Sequence, residues 1–183
     1  MPPSPDNSHP NARISGRLIQ SVMECIQHDE LEPILADYGI DHVDLDQWYP
    51  LQTWLRVLDT IANRENAMQN LVSVGMAIAE TVLFSTDENY STMPGCMRRA
   101  VDALAAEHKG DFGTFSFEKP APHEMDIAHQ SPYPDDLIYG FVYGVARQCL
   151  GGNFVLRYAV DQLRRDKGGE TTALRLSWSA TPN

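Results

Sequence analysis

The order of periodicities along the chain predicts an α+β fold, with N-terminal helices followed by a β-β-α-β-β unit and a four-stranded antiparallel sheet. Two observations carry this. Up to about residue 108, apolar residues recur at helical spacing; from Phe112 they alternate, two stretches before and two after a single glycine-containing helix. Helices gathered in one half and hairpins in the other make an antiparallel sheet with one face covered by helices. The length of 183 residues and the 43% apolar content suit one domain with a full core.

The most informative stretch is 136–150, DLIYGFVYGVARQCL. Ile138, Phe141, Val142, Val145 and Cys149 form an apolar helical stripe. Gly140 and Gly144 sit inside it, where each glycine costs about 1 kcal/mol relative to alanine, so a close approach to another backbone is expected. Asp135 and Asp136 suit the positive end of the helix, and Gly151-Gly152 ends it.

Residues 1–11 carry four prolines and no large apolar side chain, and read as a disordered tail; 12–183 read as a single domain. Ile14, Leu18, Val22, Cys25 and Ile26 predict a helix over 12–27, and a short one follows over 31–38. Asp46, in an acidic connection, is the expected cap of the next helix, 51–63, whose buried stripe is Leu51, Trp54, Leu55 and Leu58. Helices over 65–84 and 95–108 come next, separated by a polar loop over 85–94. Residues 112–118 and 124–129 alternate and read as a hairpin, with Phe115 and Phe117 on one face of the first strand and Met125, Ile127 and His129 on one face of the second. Residues 154–161 and 172–178 read as the closing hairpin around a turn at 166–169.

The net charge of −11 disfavours binding to nucleic acid or to anionic membranes by electrostatics alone. No run is long and apolar enough to span a bilayer and the start lacks signal-peptide character, so a cytoplasmic location is expected. Cys25, Cys96 and Cys149 are odd in number and scattered, which fits reduced core thiols better than a disulfide frame or a zinc site. There is no G-x-S-x-G, P-loop or G-x-G-x-x-G. Cys96, beside Arg98 and Arg99, is the best nucleophile by environment, yet no histidine stands at a spacing that pairs with it, and no enzyme activity is expected.

Several strings carry a family resemblance. These are Trp48-Tyr49-Pro50 before LQTWLRVLDTIA, then ALAAEHKGDFGTFSF, HQSPYPDDLIYGFVYGVARQ, and the closing FVLRYAVDQLRRDKGGETTALRLSW. Over about 45–178 the order and pattern resemble the superfamily of haem-nitric-oxide/oxygen-binding (H-NOX) sensors, 4-vinyl-reductase-like domains and TRAPP tethering subunits. The resemblance puts His108 where H-NOX proteins place their iron ligand. It aligns His129-Gln130-Ser131-Pro132-Tyr133 with the Tyr-x-Ser-x-Arg motif that holds haem propionates; only Ser131 matches, and the arginine is absent. The cysteines that many vinyl-reductase-like domains carry in the last hairpin are also absent.

The resemblance implies a non-enzymatic sensory or ligand-binding module. A small apolar molecule would lie between helices and sheet, and a separate signalling protein would read the change. The ligand-binding candidates are His108, His129, Tyr133, Tyr139, Tyr143, Phe115 and Phe117, with His108 a metal ligand if haem is bound. The alternatives are a haem-dependent gas sensor using His108 and a structural assembly subunit without ligand. Tyr139 and Tyr143, four apart on the side of the helix away from its most apolar stripe, suggest a homodimer through an exposed aromatic helix face.

Overall fold

A computed structural model describes residues 10–25, 28–65, 67–84 and 92–179. The proline-rich start before residue 10 and residues 85–91 of the expected polar loop lie outside the described residues. The elements run β1 (Arg13–Ser15), α1 (Gly16–Cys25), α2 (His28–Asp37), β2 (Trp48–Pro50), α3 (Leu51–Ala62), α4 (Ala67–Phe84), α5 (Met93–Ala106), β3 (His108–Lys109), β4 (Phe115–Ala121), β5 (Glu124–His129), α6 (Asp135–Leu150), β6 (Phe154–Tyr158), a 3-10 turn (Arg165–Lys167) and β7 (Thr172–Trp178). The fold is α+β, with the expected four-stranded antiparallel sheet in the order β4-β5-β7-β6. Phe117 pairs with Ile127, Ile127 with Leu174, and Tyr158 with Leu174.

A second sheet, β2-β1-β3, is an addition to the expected topology. Residues 13–15, expected to begin the first helix, instead form its central strand, with Ile14 opposite both Tyr49 and His108. Two local features stop the helix from starting earlier. The Ser15 hydroxyl accepts from the Leu18 N–H at 3.2 Å, the bond of an N-cap. Gly16 lies so close to the Asp44 carbonyl that a Cβ would come within 1.8 Å of it. Asp46 does not cap α3. Its N–H donates to the Asp44 carboxylate at 2.9 Å, while α3 begins after Pro50 and its first N–H reaches the Ala12 carbonyl at 2.9 Å. In the first hairpin, β4 runs on through Pro120 to Ala121, and Pro120 falls in the irregular stretch between the paired Glu118 and Ala121, a bulge position on an edge strand that tolerates proline.

Helix α6 is the centre of the layering, packed against α4, α5 and the β6–β7 side of the sheet. Its contact with α4 is backbone on backbone. A Cβ on Gly140 would stand 2.1 Å from the Val72 carbonyl oxygen, and one on Gly75 would stand 2.0 Å from that of Leu137. Each helix thus supplies a glycine opposite the other's main chain, the close approach expected from Gly140 and Gly144. Trp54, Met97, Ile127, Phe141, Leu174 and Leu176 are fully buried in the core.

The cysteines depart from expectation. Cys96, in the first turn of α5, and Cys149, in the last turn of α6, are paired as a disulfide, with Cα atoms 6.7 Å apart. A separation of 53 residues conceals this in the sequence, because it is the packing of α5 on α6 that brings the two together.

Gly75→Ala and Gly140→Ala should each lower the unfolding free energy by about 1–2 kcal/mol, overpacking outweighing the ~1 kcal/mol gain in helix propensity. Gly144→Ala, which meets the Ala79 methyl at 2.8 Å, should lose less. Urea midpoints of the three variants check this; a neutral Gly140→Ala would contradict the close-contact account.

Candidate functional site

Four of the seven sequence candidates gather where β3, the end of β5 and the start of α6 meet. Helix α5 ends at Ala106, so His108 lies on β3 and not in a last helical turn as expected. Its Nδ1 is 2.7 Å from the Leu104 carbonyl oxygen. A carbonyl only accepts, so Nδ1 carries the proton and Nε2 the lone pair. Nε2 in turn accepts from the Tyr133 hydroxyl at 2.6 Å. His108 also stacks on Phe112, centroids 4.4 Å apart, and Phe112 continues through Phe115 to His129. Burial holds the His108 imidazole down to about pKa 4 and pushes the Tyr133 phenol up.

His129 is 1% exposed. Its Nδ1 is 3.2 Å from the Ser131 hydroxyl, and its Nε2 lies 3.4 Å from Asp135 Oδ1 without the alignment of a hydrogen bond. Burial, reinforced by the Arg165 charge, lowers its pKa to about 3, so the ring faces Asp135 as a neutral group. Asp135, at the start of α6, is the hub of this cluster. It accepts from the Thr172 hydroxyl at 2.7 Å and the Asp166 N–H at 3.2 Å, with Arg164 Nε at 3.7 Å and Arg165 Nη1 at 3.9 Å. Arg165 donates to the Ser131 carbonyl and, at 3.5 Å, to that of Tyr133. Next to it, Asp136 accepts from Tyr158 at 2.7 Å and Arg164 at 3.3 Å, and the Arg164 guanidinium lies 3.7 Å from the Tyr158 ring centroid.

The remaining candidates lie elsewhere. Tyr139 donates to the Leu156 carbonyl at 3.0 Å and Tyr143 packs edge-on against Phe154, so β6 covers the aromatic helix face expected to be exposed. Phe117 is half-buried on β4, with the Arg98 guanidinium 5.9 Å from its ring. Phe112, Asp135, Arg164, Arg165 and Thr172 are site residues that the sequence does not reveal. Asp135 reads there only as a helix-dipole charge and the two arginines only as part of the closing hairpin; no local spacing joins them.

The order Ser131–His129–Asp135 has the donors of a hydrolytic triad but not its access. Ser131 is 0% exposed and faces His129 within the core, so no substrate carbonyl reaches it. Among the described residues, no group of three or more metal-ligating side chains is present. Two cavities stand out among the described residues. An open groove of about 450 Å³ is lined by Ser21, Glu24, Ser73, Met76, Ala77, Glu80 and Thr81, and a smaller one of about 140 Å³ lies beside α1 and α2. Both stand on the helical side and neither borders His108.

No family model and no curated protein matches the sequence. Solved structures do match. An H-NOX protein from S. oneidensis in the Fe(II) state superposes with a TM-score of 0.66 at 12% identity, covering 93% of this chain and 98% of that one. An unliganded Fe(II) H-NOX protein from K. algicida gives 0.65 at 10%, covering 92% and 98%. The Fe(II)CO H-NOX from Shewanella woodyi gives 0.61 at 11%, covering 90% and 94%. The chain has an H-NOX-like fold, at low sequence identity to the proteins that share it.

The residues at this site do not fit a haem group. The one lone pair of His108 able to bind iron is taken by Tyr133, and its other nitrogen is held by Leu104. Ser131 faces His129, and Arg165, the arginine nearest the aligned motif, is directed at main-chain carbonyls.

The two buried histidines set a pH dependence. Below the ordinary value of about 6.5 the unfolded chain binds protons that the folded protein refuses until about pH 4 at His108 and about pH 3 at His129. Stability should therefore fall as pH drops from about 6.5 toward 4, by up to about 1.4 kcal/mol per pH unit for each ring. Urea midpoints between pH 7 and 4.5 check the slope, and His129→Gln should reduce it.

Proposed function

We propose that this chain is a non-enzymatic sensory module of H-NOX type that works without haem and signals to a separate protein. The observation that carries the reading is the pairing of an H-NOX-like fold over nine-tenths of the chain with a His108 whose two ring nitrogens already have partners. In such a module, a ligand or chemical cue acts by favouring one arrangement of the helical layer against the sheet. The His108–Tyr133 bond and the Asp135 cluster link α5, β5, α6 and the β6–β7 turn, the elements that would have to move together. A small apolar ligand between helices and sheet would displace side chains that are fully buried here, such as Met97 and Phe141.

The second reading is a haem-dependent gas sensor, favoured by the Fe(II) and Fe(II)CO states of the structural neighbours. On that reading Tyr133 would have to release Nε2.

Absorption spectra separate the two. Protein expressed with ample haem and iron, or titrated with haemin, should show no Soret band, and native mass spectrometry would then identify any retained small molecule. A strong band that disappears in His108→Ala would overturn the haem-free reading.

A further inference from the structure

We propose that Cys96 and Cys149 form a reversible dithiol–disulfide site, oxidised by small disulfides of the glutathione class, that controls the tie between α5 and α6. The two residues are 53 apart in sequence and are brought together only by the packing of the helices that carry them. Their surroundings differ in a useful way. Cys96 is 0% exposed, in the first turn of α5, where the helix dipole favours a thiolate, with Arg98 and Arg99 following it. Cys149 is partly exposed in the last turn of α6, after the exposed Arg147 and Gln148. Cys149 is therefore the sulfur a small oxidant reaches, and Cys96 is the one poised to resolve the product.

The chemistry balances with the oxidant named. The Cys149 thiolate attacks one sulfur of the small disulfide, forming a mixed disulfide and expelling one thiolate, which takes up a proton. The Cys96 thiolate then attacks the Cys149 sulfur, closing the intramolecular bond and expelling the second thiol. The protein loses two electrons and two protons, and one small disulfide becomes two thiols. Oxidation fixes the start of α5 to the last turn of α6 at Cys149, two positions before the glycine pair that leads into β6. A change of oxidation state thus acts on the junction between the helical layer and the sheet. The site rests on cysteine placement alone and does not require the sensory reading.

The test uses the full chain with its native three cysteines, equilibrated in oxidised and reduced glutathione mixtures across a range of ratios, acid-quenched, alkylated and mapped by mass spectrometry. The expected result is a Cys96–Cys149 cross-link that is lighter by two hydrogens at oxidising ratios and returns to two alkylated thiols at reducing ratios, with the protein folded throughout by circular dichroism. The oxidised form should melt roughly 10 °C above the reduced form. Cys149→Ser, which keeps the fold but loses the accessible sulfur, should show neither the cross-link nor the shift. Two results overturn the proposal: Cys96 and Cys149 both remaining alkylatable at the oxidising limit, or a cross-link that survives the reducing limit and is therefore a permanent staple. Either would leave the haem-free reading intact, and a Soret band would leave this site intact.

Discussion

The contact of α4 with α6 is the constraint on which the rest depends. Side chains usually hold packed helices 8–10 Å apart. Here Gly75 and Gly140 remove them at the crossing, so main chain meets main chain. The other face of α6 is then free to lie on β6 and β7, and both ends of the helix acquire fixed surroundings. Its first residue, Asp135, enters the core beside His129 and Thr172, and its last turn brings Cys149 to α5. Apolar burial supplies the driving force, but the glycines determine where it is applied.

Within this frame the polar residues are arranged so that few charges are buried without a partner. Asp135, 5% exposed, has a hydroxyl, an N–H and two guanidinium groups around it as well as the start of its own helix. The histidines avoid the same cost by staying neutral. Where the aligned motif has an arginine to meet a carboxylate, this chain has the phenol of Tyr133, which turns inward to His108. Its hydroxyl occupies the imidazole lone pair.

Much of the architecture is legible in the sequence. β5 and β7 have the expected bounds, and α3, α4 and α6 begin and end within about two residues of them, because long amphipathic or alternating runs state their own period. The Gly140 contact is legible too, since a helix that buries a glycine mid-length forgoes both propensity and side-chain packing unless another backbone fills the space. What escapes is non-local. β1 is three residues long and reads as the start of α1 until its partners at 48–50 and 108–109 are known. His108 stands out in the sequence, but its environment depends on Tyr133, 25 positions away. Asp135 and Arg165 meet only because the closing hairpin folds back over the start of α6. The pairing of Cys96 with Cys149 follows from helix packing that no spacing rule records.

The small β2-β1-β3 sheet also orders events in time. Its central strand is at 13–15, but its last strand is at 108–109, so Ile14 waits for His108 before its second edge is paired. During synthesis from the N-terminus, α1 to α4 emerge while β1 still has one open edge, and the unit closes only when the end of α5 has left the ribosome. Contacts of such wide separation slow folding and lengthen the exposure of unpaired strand. The N-terminal helices are therefore tied end to end by a strand that stands early in the chain and is completed late.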